Sequence, residues 1–122
     1  MTAAAYRTAL IVGAGSGLSA SLARLLAKSG LKVALAARTL DDLAGLVSDT
    51  GAKAFACDAT NEDQVARLFA DVEATFGTPD LVIYNASFRT RGPFVELLPA
   101  DVEKAIAVSA FGAFLVAQQV AD

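Results

Sequence analysis

The sequence predicts an α/β fold, a doubly wound parallel sheet with strands in the order 3-2-1-4 and helices on both faces. Three observations carry that prediction. Short apolar runs alternate with segments of helical periodicity, four times along the chain. The connections are short, and strand–helix alternation with short connections implies parallel strands joined by right-handed crossovers. The first connection is rich in glycine: Gly13, Gly15 and Gly17 separate an apolar strand from an amphipathic helix.

The elements follow in order. Tyr6–Val12 is the first strand, and Gly17–Ser29 the first helix, with Gly30 as a left-handed stop. Lys32–Ala37 is the second strand. Leu40–Asp49 is the second helix, with Leu40, Leu43, Leu46 and Val47 on one face and Gly51 beyond its end. Ala52–Cys57 is the third strand. Asn61–Phe76 is the third helix: Asn61 is a good N-cap, Glu62 and Asp63 suit the positive end, and Val65, Leu68, Phe69, Val72 and Phe76 form an apolar stripe. Gly77-Thr78-Pro79 is a turn, Asp80–Tyr84 the fourth strand and Asn85–Leu98 a loop. Pro99 suits a first helical turn, and Ala100–Val120 reads as one long helix. In the order 3-2-1-4, the first two helices cover one face of the sheet and the last two the other.

Composition bounds the function. A chain of 122 residues is the length of one domain, and 55% hydrophobic content supplies a core. No apolar run approaches the ~18 residues that span a bilayer, and Met1–Arg7 lacks the charged-then-apolar order of a secretory signal, so no membrane partner is expected and the cytoplasm is the expected compartment. A single cysteine, Cys57, fits a reducing environment and reads as a packed apolar side chain. A net charge of −3 with no basic cluster argues against nucleic acid as a partner. The absence of histidine removes Ser-His-Asp chemistry and most zinc sites, and no metal ligand set is expected.

Chemistry concentrates where strands end. Glycines let the chain turn tightly and let a phosphate approach without a Cβ in the way. Gly13, Gly15, Ser16, Gly17 and Leu18, at the mouth of a helix, are therefore candidates to hold the diphosphate of a dinucleotide. The plain alternative is a tight turn with no ligand. No Gly-Lys-Ser/Thr follows, which excludes a Walker loop. Ser19 either fits a hydroxyl into the packing or caps the helix. After the second strand, Ala37-Arg38 stands where an acidic residue would hold an adenosine ribose diol. Without that carboxylate and with a guanidinium available, NADP is favoured over NAD; a solvated Arg38 is the alternative. Asp58 and Ala59 follow the third strand; Asp58 can accept from an adenine amino group, cap the turn into the next helix, or do both. Asn85 and Ala86 end the fourth strand, where Asn85 either anchors backbone beside the cofactor or caps the strand end. Arg89 and Arg91 read as solvated loop residues, and Phe111, Phe114, Leu115 and Val116 as core or interface. Ser109 is a polar position on the final helix that can face the site.

Together these residues resemble the short-chain dehydrogenase/reductase family, from about Arg7 to the end of the chain, corresponding to the N-terminal half of that family. The family's Thr-Gly-x3-Gly-x-Gly turn is similar to Val12-Gly13-Ala14-Gly15-Ser16-Gly17-Leu18-Ser19, with the first threonine and last glycine replaced. Its Asp after the third strand matches Asp58. Its Asn-Asn-Ala-Gly motif is similar to Tyr84-Asn85-Ala86-Ser87, and Ser109 occupies the place of the Asn that orders its proton relay. The resemblance implies a Rossmann-type, NAD(P)-binding domain over residues 1–122. It implies an oxidoreductase that moves a hydride between nicotinamide and a small-molecule carbonyl or alcohol. Gly13, Gly15, Gly17 and Leu18 would lie at the diphosphate, Arg38 at a 2′-phosphate, Asp58 at adenine and Asn85 beside the inner ribose, with Ser109 an altered support for the relay.

The family's relay itself is a Tyr-x3-Lys with an upstream serine. The tyrosines of this chain are Tyr6 and Tyr84, with Leu10 and Phe88 four residues on. These 122 residues alone are therefore expected to lack dehydrogenase turnover. The fourth strand, Leu81–Tyr84, is also expected to present an apolar edge. At ~25 cal/mol per Å2, a few hundred Å2 left bare costs several kcal/mol. A continuation of the chain, self-association into a homo-oligomer, or rearrangement of the last helix would relieve it. Two other classes compete with the enzyme reading. One is a non-catalytic, nucleotide-binding or self-assembling half-fold. The other is a flavodoxin-like regulator, which requires a hydroxyl-rich phosphate loop or an acidic pocket, and neither is visible.

Overall fold

The computed structural model describes residues 6–15 and 17–121. Its strands are β1 (Thr8–Val12), β2 (Lys32–Ala37), β3 (Lys53–Ala56) and β4 (Leu81–Tyr84). Its helices are α1 (Leu18–Lys28), α2 (Ala44–Thr50), α3 (Glu62–Phe76), α4 (Pro99–Ile106) and α5 (Gly112–Val120). The strands form one parallel sheet in the order β3-β2-β1-β4, as expected from the sequence.

Alternation along β1 divides the core. Leu10 and Val12 pack with Val65, Leu68, Phe69 and Val72 of α3 and Leu115 and Val116 of α5. Ile11 faces the other way, into Ala20 and Ala23 of α1 and Leu46 of α2. Every residue of β1 is buried, because it is a central strand covered on both faces. The residues of β4 are only half-buried; β4 is an edge strand, paired with β1 alone among the described residues. Its start is pinned by Asp80, whose carboxylate accepts from the Arg7 amide at 2.9 Å and the Thr8 amide at 3.0 Å. Those bonds hold the Asp80 carboxyl below the usual carboxylate range.

Caps and turns account for the element ends. Asn61 Oδ1 accepts from the Gln64 amide at 3.0 Å, and Gln64 Oε1 in turn accepts from the Asp58 amide at 2.8 Å, so cap and preceding loop are stitched together. The second helix differs from expectation at its start. Leu40 offers no capping oxygen, and the chain enters through a tight 3-10 turn, Asp41–Leu43, before α2. The last helix runs without a gap from Pro99 to Val120, as expected, but its hydrogen-bond pattern changes within it. A π-turn at Ala107–Phe111 separates α4 from α5, and Gly112 donates to Ala107 O, five residues back. Of the four apolar residues assigned to that region, Leu115 and Val116 are buried, whereas Phe111 and Phe114 are exposed and stacked on each other.

Candidate functional site

The strand ends that carry Gly13, Arg38, Asp58 and Asn85 all lie at the carboxyl edge of the sheet, because the sheet is parallel. Gly13 follows β1 with φ +93°, a conformation that L side chains rarely adopt. A Cβ at Gly13 would stand 2.5 Å from Ala86 Cα and 2.7 Å from the Asn85 carbonyl carbon. Its amide and that of Ala14 both donate to Ala36 O, at 2.8 and 3.0 Å. Gly13 is therefore required by the fold itself, where three strand ends converge.

Gly15 and Gly17 are different. Neither has positive φ, and a Cβ on either would meet nothing within 4 Å. Among the described residues, no acceptor meets the amides of Gly15, Gly17 or Leu18. The first turn of α1 holds no acidic side chain, while its last turn holds Lys28. Among the described residues, the helix thus opens with unpaired amides at the positive end of its dipole. Ser16 lies outside the described residues.

Ser19 resolves the alternatives the sequence left open. It does not cap α1, whose N-cap is Gly17 with no side-chain bond. It is buried, donates to Gly13 O at 3.0 Å, and accepts from Asn85 Nδ2 at 2.8 Å. One hydroxyl therefore joins the glycine turn, α1 and the loop after β4. The Asn85 amide also donates to Val12 O at 2.7 Å. Asn85 is engaged with the protein rather than aimed into open space.

A cleft of ≈ 760 Å3 opens beside the turn. Gly13, Gly15, Arg38 and Ala86 line it, with Ala14, Thr39, Asp42, Phe88, Lys104 and Val108. A smaller adjoining hollow brings in Asp58 and Ala59, with Arg38 and Val108 again in its wall. Gly17, Leu18, Asn85 and Ser109 are not among the lining residues of either space. Ser109 is exposed on the π-turn, one residue after Val108. Asp58 Oδ1 accepts from the Thr60 hydroxyl at 2.7 Å and the Thr60 amide at 2.9 Å. Those two bonds, with the Arg38 and Lys104 charges nearby, hold its carboxyl below the usual range. It is an ionised acceptor at neutral pH and caps the turn as well. Cys57, beside it, is buried, and burial pushes its thiol up to about 11, which makes it inert.

Lys104, Phe88, Asp42 and Val108 escaped the sequence reading. Lys104 Nζ sits 4.4 Å from the Phe88 ring centroid, a cation–π contact between α4 and the loop after β4. Nothing in local sequence marks that pair. Asp42 carried a weak signal: it lies one turn beyond Arg38, in the segment entering α2.

Comparison with known proteins bears out the fold. The family model for short chain dehydrogenase matches residues 7–122. Cis-4-hydroxycyclohexanecarboxylate dehydrogenase of Sinomonas cyclohexanicum is 36% identical over 116 residues, covering 91% of this chain and 47% of that protein. D-threitol dehydrogenase of Mycolicibacterium smegmatis is 34% identical, covering 93% of this chain and 46% of that protein. A single-substitution variant of actinorhodin polyketide ketoreductase, solved with NADPH, superposes with a TM-score of 0.88 at 28% identity, over 94% of this chain and 46% of that one. The chain spans about half the length of the curated relatives it matches.

Proposed function

The chain belongs to the short-chain dehydrogenase family, and on that premise we propose that it forms the coenzyme-binding half of an NADP-dependent oxidoreductase. The observation that carries the reading is the contrast within the glycine turn: Gly13 is demanded by neighbouring backbone, whereas Gly15 and Gly17 leave open space above free amides. Gly17 serves the fold as the N-cap of α1, but a turn that served only the fold would have no use for Gly15. Open space, unpaired N–H groups and a helix N-terminus suit a diphosphate.

In this reading Gly15, Ser16, Gly17 and Leu18 hold the diphosphate, and Gly13 sets the turn. Arg38 pairs with a 2′-phosphate, Asp58 and Ala59 bound the adenine, and Asn85 and Ala86 support the backbone beside the inner ribose. Bound NADP would supply or accept a hydride at a carbonyl or alcohol carbon of a small-molecule substrate. This chain's residues bind and orient it. Ser109 stands as the support for a relay whose Tyr-x3-Lys is not in these 122 residues. The 122-residue chain is expected to bind coenzyme without turnover. Exposed Ile106, Phe111 and Phe114 offer an apolar surface for self-association, and we infer a cytoplasmic homo-oligomer.

One observation favours NAD instead. Asp42 lines the same cleft as Arg38, and a carboxylate there can accept from a ribose diol and repel a 2′-phosphate. Fluorescence titration with NADPH and NADH separates the two. Tighter NADPH binding that Arg38→Asp reverses supports the NADP reading. Tighter NADH binding that Asp42→Asn weakens supports the other. Binding of neither coenzyme leaves the half-fold without a nucleotide and overturns both.

A further inference from the structure

The π-turn creates a problem that a distant side chain solves. In a regular α-helix the Gly112 amide would donate to the Val108 carbonyl; here it donates to Ala107 O. The Tyr84 hydroxyl, from the end of β4, donates to the Val108 carbonyl in its place. The phenol reaches that carbonyl because residue 112 has no side chain. A Cβ on Gly112 would collide with the Tyr84 hydroxyl, and would stand 3.3 Å from Tyr84 Cζ and 3.1 Å from the Ala59 carbonyl. Gly112 is buried and has ordinary helical backbone, φ −60°, so conformational freedom does not explain the glycine. Space for the phenol does.

We propose that Tyr84 is a positioning residue: its hydroxyl fixes the π-turn so that Val108 forms a wall of the coenzyme cleft, and Gly112 is the complementary residue that admits the phenol. Val108 lines both the main cleft and the adjoining hollow that contains Asp58 and Ala59. Tyr84 lines neither space and acts through the carbonyl it holds. Burial raises the phenol above its ordinary range, with the neighbouring Cys57 and Asp58 adding to the effect, so the donor proton stays in place at neutral pH. Lys104, one turn before Val108, shares the main cleft. The lock therefore sets the rotation of a helical segment carrying two cleft residues.

This inference rests on the coenzyme reading above, and its test separates the two. NADPH dissociation constants are measured for the 122-residue chain, Tyr84→Phe, Gly112→Ala and the double variant, with far-UV circular dichroism on each. Losing the hydroxyl is expected to weaken NADPH binding by about three- to tenfold without changing the dichroism. Gly112→Ala is expected to weaken it at least as much, and the double variant no further than Gly112→Ala alone, because both remove one lock. Wild-type affinity in folded Tyr84→Phe overturns the inference while leaving the coenzyme reading intact. If the unsubstituted chain binds neither NADPH nor NADH, both fall. A second readout needs no variant at Tyr84. The chain has two tyrosines, so Tyr6→Phe leaves Tyr84 as the single phenol. Its 13Cζ resonance is expected to shift at saturating NADPH, and a resonance that stays still overturns the inference even if Tyr84→Phe fails to fold.

Discussion

Gly13, Ser19 and Asn85 form one layer, the floor, bonded to one another or to neighbouring strand ends, whereas Gly15, Gly17 and Arg38 form another, the rim, whose glycine amides and guanidinium meet no acceptor among the described residues. Two glycines only two residues apart thus have different reasons to be glycine. One is held by steric necessity inside the protein. The other would meet no protein atom within 4 Å if it carried a Cβ. Stability and ligand binding should therefore respond separately to changes in the two layers.

The largest break is expected at the floor. Gly13→Ala places a methyl group against the Asn85–Ala86 backbone at φ +93°. It should cost on the order of 3 kcal/mol or more in urea unfolding, and coenzyme binding with it. At the rim, a Cβ on Gly15 meets nothing within 4 Å beyond its chain neighbours, so Gly15→Ala should be accommodated. The unfolding midpoint should stay near that of the parent chain while NADPH affinity falls on the order of tenfold. Equal losses of stability from the two substitutions would erase the distinction between floor and rim.

Ser19→Ala sharpens the comparison. It removes the hydroxyl that joins Gly13 O to Asn85 Nδ2 and should cost about 1 kcal/mol of stability. A secondary loosening of coenzyme should accompany it, since the floor supports the rim. The smallest effect lies at the opposite end of the sheet. Asp80 is held below the ordinary carboxylate range by the Thr8 and Arg7 amides. Its contribution is present above the unfolded value of about 4 and is lost as pH falls through the lower folded value. Asp80→Asn should therefore lower the melting temperature slightly at pH 7 and converge with the parent in acid. A difference that grows on acidification would contradict that sign.

The sequence made some of this legible and hid the rest. Strand order, the Asn61 cap and the split of the core between two helix layers follow from patterns that are local or have a fixed period. Gly15 and Arg38, which line the cleft, sit at fixed offsets from strand ends and so stand out in the sequence. What local pattern cannot carry is a bond between distant positions. Ser19 and Asn85 are 66 residues apart, and Tyr84 and Val108 are 24 apart. The π-turn in the last helix was hidden too. The contact that accompanies it, a phenol on β4 fitting over Gly112, belongs to the packing and not to helix propensity. Lys104 and Phe88 meet for similar reasons, across the mouth of the cleft.

The central claim is that free amides at the start of α1 receive the coenzyme's diphosphate. Amide 15N–1H spectra of the chain titrated with NADPH test it directly. The account predicts saturable shifts at Gly15, Gly17 and Leu18. Saturating NADPH that leaves those three amides unmoved would contradict it.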